Sequence, residues 1–591
     1  MKKRAITITA LVLCVVLALS ACAQGAPQQA APTPGDAQTP ADTAQQQPAD
    51  PGGAHPNFNE LGVFPLVREM ETIHVYIHSA AAEFNPETNW FTGFYEEKTN
   101  VHVNWSVVPQ EQYKERVNLA FASGEEIDLI FAGGNVATGF TMIEVLRFAE
   151  QGVIQPLNDL FDNHSVNFNR RIDEYAGWRE LLTLPDGNIY TFPRMNDFFH
   201  GRFYTKMFLN RDWLDRLGLD YPTTTEEFHQ VLLAFRDNDA NGSGRNDEIP
   251  MAGAQANFHV WNSKVDPFLM NAFIYNDGEN RLFLDNGQVI AAYAQPEWRE
   301  GLRYINMLFN DGLIYIESFT MDKAARDRLN SQHFESRVGA MPSNIHFGSR
   351  EPGEPARWIE YTPIKPLIGP TGFRTTRYCH FLKFQPDRSG GFIPVTSRNP
   401  ELVVRWLDWF MTDEGMKMTI LGPEGIGWVP ADPGSTGVDG RPAVHRRVIL
   451  PPDHEFFGNL TWAQAPPNVQ TSDFRLAEQQ PLDMRAPDGS GVEKYLYHYS
   501  RVNYYPYAPS ADKILPPLFI PSDLLTEFAH LQTSINTFVE ESLARFIIGD
   551  LCLDNDWYRY LEDLNNLGLV RYLYIVQTTY NNSPFVTGVA R

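Results

Sequence analysis

The residue types best able to do chemistry gather in Asp237–Pro250, DNDANGSGRNDEIP. Oxygen-bearing side chains recur at every second position, glycines allow a tight turn, and Asp247-Glu248 closes the run. A hard cation such as Ca²⁺ takes about six to eight oxygens at roughly 2.3–2.6 Å, which a loop wrapped around one point can provide. Two registers fit. Counted from Asp237, a twelve-residue pattern D-x-D-x-N-G-x5-E puts Gly242 at its sixth position and Glu248 at its twelfth. Counted from Asp239, a shorter loop offers Asp239, Asn241, Ser243, the carbonyl of Arg245, Asp247 and Glu248. The competing reading is a solvated turn, because Asp, Asn, Gly and Ser form turns unaided. Alternation and the closing acid pair favour calcium, as a structural staple, since no histidine or nucleophile signature adjoins the loop.

Motifs for catalysis are not found. The sequence has no H-E-x-x-H, G-x-S-x-G, G-x-x-x-x-G-K-[ST] or C-x-x-C. A glycosidase-type carboxylate dyad is not distinguishable among 72 acidic residues. His200, His259 and His380 are scattered and read as surface or satisfied core residues. Trp213, Trp406, Trp409 and Trp557 fall in helical patterns and read as core. Trp261, Tyr378 and Trp428 fall in polar or irregular stretches, where an aromatic face can stack on a sugar ring or peptide group.

The elements that position these residues follow from periodicity. Thr72–Ile77 reads as a strand, Trp90–Lys98 as a helix, Val101–Val107 as a strand, Glu111–Ser123 as an amphipathic helix and Asp128–Phe131 as a strand. Strands and helices alternating at this spacing predict βαβ units and a mainly parallel sheet. Ligands collect beyond the C-terminal ends of such strands, which places Gly133, Gly134 and Asn135 at a cleft. Leu209–Leu217, Thr225–Phe235 and Pro400–Met418 read as helices, and Leu525 to Phe546 keep the spacing of one long helix.

Composition bounds the rest. The 591 residues carry 48 Lys+Arg against 72 Asp+Glu, a formal charge of −24, with 43% hydrophobic and 13% aromatic residues. That is enough apolar bulk for a large folded body, and too acidic for broad binding to nucleic acid, which needs a cationic surface. Met1-Lys2-Lys3-Arg4, an apolar run to Ala21, and Leu19-Ser20-Ala21-Cys22 make a secretory signal whose end resembles a lipobox. Cys22 would then become the acylated, palmitate-bearing N-terminus, anchoring the protein at the outer face of the cell membrane. Losing Lys2, Lys3 and Arg4 takes the charge from −24 to −27. Residues 23–57, rich in Ala, Gln, Pro, Thr and Gly, read as a flexible tether. Cys379 and Cys552 remain, with pairing and two buried thiols both open.

Eight stretches carry a resemblance: LAFASGEEIDLIF (119–131), PDGNIYTFP (185–193), NRDWLDRLGLDYPTTTEEF (210–228), DANGSGRNDEIP (239–250), NPELVVRWLDWFMTDEG (399–415), GPEGIGW (422–428), ILPPLFIP (514–521) and GDLCLDNDWYRYLEDLNNLGL (549–569). In this order they resemble bacterial extracellular solute-binding proteins of the family 1 type, in the branch of LipO-like lipoproteins and alginate-oligosaccharide-binding proteins. The resemblance implies an α/β, type II periplasmic-binding-protein-like fold: two lobes, each a mainly parallel sheet flanked by helices, joined by hinge crossovers. It implies residues 1–21 as signal, 22–57 as tether and 58–195 as the first lobe's opening part. Residues 196–340 would be second lobe, 341–398 a return to the first, and 399–591 second lobe with C-terminal helices. It also implies the shorter calcium register, with Ser243 in place of the family's usual asparagine, while Pro342–Gly391 departs from the common pattern. The implied function is a monomeric receptor that captures a solute, foremost an oligosaccharide, by lobe closure and delivers it to an ABC permease without making or breaking bonds. Cleft candidates are Asn135, Trp261, Asn344, Arg377, Tyr378 and Trp428. The alternatives are a peptide receptor, a surface-anchored hydrolase or lyase, and an adhesin-like module.

Overall fold

The computed structural model describes residues 55–79, 84–133, 138–255, 263–331, 335–343, 357–384, 389–462, 467, 469–486 and 489–587. The folded body is the unit Pro56–Arg591. Cys22, Asn135, His259, Trp261 and Asn344 lie outside the described residues.

Two four-stranded sheets organise the body. Their strands are β1 (Glu71–Ser79), β2 (Val101–Pro109), β3 (Leu129–Phe131), β4 (Lys206–Asn210), β5 (Ile249–Met251), β6 (Val338–Ser343), β7 (Tyr361–Pro363) and β8 (Gly391–Phe392). The first sheet has the order β8-β3-β1-β2. β1 runs parallel to β2, Glu71 opposite Val101, and parallel to β3, Val75 opposite Leu129. β8 closes one edge antiparallel to β3, with Gly391 opposite Phe131. Helices Trp90–Thr99 and Tyr113–Ser123 are the crossovers that parallel neighbours require. Asn89 starts the first by accepting from the Phe91 amide at 3.0 Å, and Asn100, left-handed at φ 58°, ends it. Alternate side chains then face opposite ways. Ile73, Val75 and Ile77 enter a core with Leu402, Trp406 and Trp462, while Tyr76 meets Tyr113, Val145 and Phe148 on the other face.

The second sheet, β7-β4-β6-β5, is mixed where the sequence predicted mainly parallel strands. β4 runs against both neighbours, Tyr361 opposite Asn210 and Lys206 opposite Ser343, and only β5 and β6 are parallel. The cause is topological: β4 arrives from the other lobe, so it starts at the end of the sheet where β6 finishes. Met207 and Leu209 face a core with Trp213, Phe228, Leu302 and Phe546, and Phe208 faces Ile249, Val338 and Tyr361.

Local capping redraws two predicted helices. Leu209 and Asn210 belong to β4, and the helix begins at Arg211, because the Asn210 side chain accepts from the Trp213 amide at 3.1 Å. Pro400–Met418 is two helices, Pro400–Asp408 and Asp413–Leu421, parted by a 3-10 turn at Trp409–Met411. Thr412 caps the second piece through the Gly415 amide at 3.0 Å. A Cβ on Gly415 would stand 2.0 Å from the Trp409 carbonyl oxygen, so only glycine fits the break. The C-terminal run is one helix, Ser522–Ile548, ended by Gly549 at φ 89°. Trp213, Trp406, Trp409 and Trp557 are all buried. Lobe assignments shift as well. Within 341–398, expected to return to the first lobe, β7 pairs in the second sheet whereas Phe384 and β8 join the first. Leu402, Trp406 and Phe410 pack on the first sheet, although 399–591 was expected in the second lobe; their apolar stripe covers the face that β1 presents. Among the described residues, no helix is long and apolar enough to cross a membrane.

Candidate functional site

Among the described residues, three segments carry the chain from the core of one sheet to the core of the other, and core membership marks each passage. Phe192 and Met195 pack in the first core, Phe203 and Met207 in the second. Tyr378 packs in the second core and Phe384 in the first. Trp462 and Val469 pack in the first, Tyr495 and Tyr504 on the second sheet.

Polar contacts tie these segments to one another. Met195–Asn196 pairs in parallel with Val469–Gln470, and the Asp197 amide donates to the Gln470 carbonyl at 2.9 Å. The Cys379 amide donates to the Arg202 carbonyl at 2.9 Å. Arg202 pairs with Asp197 and donates to the Tyr378 hydroxyl at 3.3 Å. Arg475 donates to Asn196 Oδ1 at 3.1 Å and lies 3.4 Å from the Glu493 carboxylate, which faces His200 Nδ1 at 3.4 Å. Burial would raise the Glu493 carboxyl, but His200 and then Arg475 hold it down at about 2. Lys206, fully buried at the start of β4, donates to the carbonyls of His200, at 2.9 Å, and Phe203. Burial pushes its pKa down to about 7. Ion pairs and single-strand bridges of this kind can lengthen or rotate without pulling either apolar core apart, which is what a hinge requires.

The predicted ligand residues distribute unevenly. Tyr378 lies in the second passage, its ring 5.1 Å from Phe203 and its hydroxyl at Arg202. Arg377 beside it is buried, paired with Glu279 at 2.9 Å and 5.0 Å over the Tyr204 ring, so it braces the second lobe. Trp428 lies on a separate hairpin, Trp428–Pro430 against His445–Arg447, with the Lys417 ammonium 3.0 Å over its ring. At the end of β3, a Cβ on Gly133 would stand 1.8 Å from Thr138 Oγ1 and 2.6 Å from His78 Nε2, so glycine lets this strand end close on its neighbours. His78 is kept neutral, its pKa pushed down to about 4 by burial and then by Arg194. Cys379 and Cys552 are both free. Sequence reasoning missed Asp197, Arg202, Lys206, Arg475 and Glu493. No local signal marks them, because the partners are joined only when distant segments meet.

The Asp237–Pro250 loop folds back on itself between helix Thr225–Asp237 and β5. Asp237 turns out to Arg236 at 2.7 Å, outside the loop. Inside, the Asp247 carboxylate accepts from Asn241 Nδ2 at 2.8 Å and Ser243 Oγ at 3.1 Å, and Asp239 accepts from the Gly244 amide at 3.1 Å. Glu248 accepts from the Asn241 amide at 3.3 Å. The Asn241 side-chain amide, ahead of Arg245, holds the Asp247 carboxyl below its ordinary value. Gly242 and Gly244 take φ of 73° and 69°, which the turn needs. Among the described residues, no three His, Cys, Asp or Glu side chains gather closely enough to hold a metal alone. A cation here would rely on the neutral oxygens of Asn241, Ser243 and the Arg245 carbonyl beside Asp239, Asp247 and Glu248, a donor set that suits a hard ion.

Comparison with known proteins agrees with this architecture. FusA of Streptococcus pneumoniae serotype 4, a fructooligosaccharide ABC transporter substrate-binding protein, is 27% identical over 538 residues, covering 89% of this chain and 93% of FusA. The solved structure of a FusA EF-hand mutant with fructo-nystose superimposes with a TM-score of 0.64 at 23% identity, over 86% of this chain and 99% of that one. A human-milk-oligosaccharide-binding (HMO) solute-binding protein associated with an ABC transporter, from Bifidobacterium longum infantis, gives 0.67 at 18% identity, over 87% and 99%. The model of the bacterial extracellular solute-binding protein family matches residues 76–417. Two sheets with separate cores, joined by three polar passages and matched over most of that span, place the chain in the bacterial extracellular solute-binding protein family.

Proposed function

We propose that this protein is an oligosaccharide receptor of an ABC importer, closing two lobes around its ligand and releasing it to a membrane permease. The observation that carries the reading is the bonded set of three passages between two separately cored lobes. A ligand that touches both lobes only when they close shifts the population toward closure by its differential affinity. The oligosaccharides bound by FusA and by the Bifidobacterium protein support the substrate class. Tyr378 is the strongest contact candidate, an aromatic ring on a passage between lobes; Asn135, Trp261 and Asn344 remain candidates, and Trp428 a weaker one. Asp239, Asn241, Ser243, Arg245, Asp247 and Glu248 hold a structural calcium ion in this reading, supported by the EF-hand named in the FusA structure. Cys22 carries the lipid, and the stretch from it to the start of the folded body at Pro56 is the leash.

The test is a thermal-shift screen of fructooligosaccharides, human milk oligosaccharides and peptides, followed by chromatography of the best ligand before and after incubation. A saturable rise in melting temperature with unchanged ligand is expected. Turnover of the ligand would replace the receptor by an enzyme, and a response to peptides alone would replace the sugar.

A further inference from the structure

The second lobe carries a concavity of about 330 Å³ beside β7, the edge strand of its sheet. The chain covers that edge with helix Val492–Tyr499, bonded at two points: the Tyr495 hydroxyl donates to the Tyr361 carbonyl at 2.5 Å, and Asn503 donates to the Pro363 carbonyl at 2.7 Å. Past Tyr499 the helix widens into a π-helical turn, Ser500–Tyr504, which carries Asn503. Such turns are rare and recur at functional sites.

Polar groups converge on the gap. The Tyr221 hydroxyl donates to Thr362 Oγ1 at 3.2 Å, and Arg485 donates to Thr362 Oγ1 at 2.8 Å and to the Tyr499 hydroxyl at 3.1 Å. Lys365 lines the same wall, and no acidic side chain does. Neither Lys365 nor Arg485 takes a carboxylate partner among the described residues, in a chain with 72 acids to 48 bases. Lys365 lines the recess, and Arg485 stands behind its wall on the hydroxyls of Thr362 and Tyr499, so the wall carries positive charge that an anion would offset. Tyr221 and Tyr499 add ring faces and hydroxyls, the combination that suits the apolar face and hydroxyl rim of a sugar. The volume is near the lower end, about 300 Å³, of small-molecule pockets, which fits one ring rather than a chain.

We propose that this recess is a second binding site, separate from inter-lobe capture, for a sugar acid: its carboxylate at Lys365, on the wall that Arg485 backs, and its ring against Tyr221 and Tyr499. The site lies within one lobe and goes beyond the receptor reading. The experiment is ligand-observed NMR titration of the whole protein with D-glucuronate, D-glucose and inorganic phosphate in low salt. Glucuronate is expected to bind in the millimolar range, with glucose and phosphate each at least about tenfold weaker. Lys365→Ala and Tyr221→Ala should each weaken glucuronate at least about fivefold without moving the melting temperature, and about 0.5 M NaCl should weaken it likewise. Equal binding of glucose overturns the acid, and equal binding of phosphate overturns the sugar. Glucuronate binding that survives Lys365→Ala, or none at about 50 mM, overturns the site itself. Oligosaccharide capture unaffected by these variants leaves the receptor reading intact in every case.

Discussion

Lys206 links the first passage to the second sheet, and replacing it with methionine isolates one charge inside the hinge. Methionine keeps an unbranched stem and removes the ammonium that the His200 and Phe203 carbonyls accept from. The folded pKa is about 7 against an ordinary 10.5. Across that interval the unfolded chain binds more protons than the folded one, so stability rises with pH. The slope approaches about 1.4 kcal/mol per pH unit, and from pH 7 to 9 it sums to about 2 kcal/mol, since half the folded molecules are protonated at pH 7. With an unfolding entropy of about 2.1 cal/mol/K per residue, the roughly 530 residues from Pro56 to Arg591 convert this to about 2 °C in Tm. If the second lobe melts by itself, the shift roughly doubles. The assay is calorimetry of wild type and Lys206→Met at half-unit steps from pH 7 to 9, reading the difference between the two. Tyr504, whose ring lies 5.9 Å from the ammonium and whose hydroxyl burial keeps protonated, and the His200–Glu493 pair are present in both proteins and cancel. Parallel pH curves, or a variant that gains on wild type as pH rises, would refute the reasoning.

Calcium at about one hundred times its Kd should add about 2.7 kcal/mol, or 2–3 °C in Tm, and Asp247→Ala should remove that gain. An equal calcium response in the variant would dismiss the loop as a site. Glu493→Gln should cost about 3 kcal/mol at pH 7, because the carboxyl is held near 2 by His200 and Arg475. That wild-type advantage should fade as pH falls from about 4.5 toward 2; urea midpoints at both ends check it, and a constant difference would count against the pairing. Cys22→Ala should move the protein from the membrane fraction to the medium or leave it unprocessed, and undiminished membrane attachment would end the lipoprotein reading.

The first sheet was legible because its signals are local. IHVYI alternates, helices of the right length follow, and the strand order needs nothing from elsewhere. β8 was not, since two residues carry no period and their place is set by pairing with Phe131. Leu209 and Asn210 looked like the start of a helix because Leu209 fits a helical spacing; Asn210 overrides that spacing by capping the Trp213 amide. The Asp237–Pro250 stretch was legible as a pattern of oxygen donors, while the turn of Asp237 out toward Arg236 was not. Hinge crossovers were expected from the resemblance, but the residues that bond them were invisible. Asn196 and Arg475, or His200 and Glu493, are ordinary surface residue types until their segments cross.

The three passages also set a timetable for folding. β3 and β8 are neighbours separated by about 260 residues, and Trp462 arrives later still on the face that Ile73, Val75 and Ile77 present. At about 5–20 residues per second of synthesis, that apolar face waits tens of seconds for its cover. Neither lobe is a unit that can finish early. A chain halted near residue 200 should be a bare sheet with adhesive edges rather than half a receptor. The nascent protein therefore depends on being held open until its end is made, and its maturation is one late event shared by both lobes.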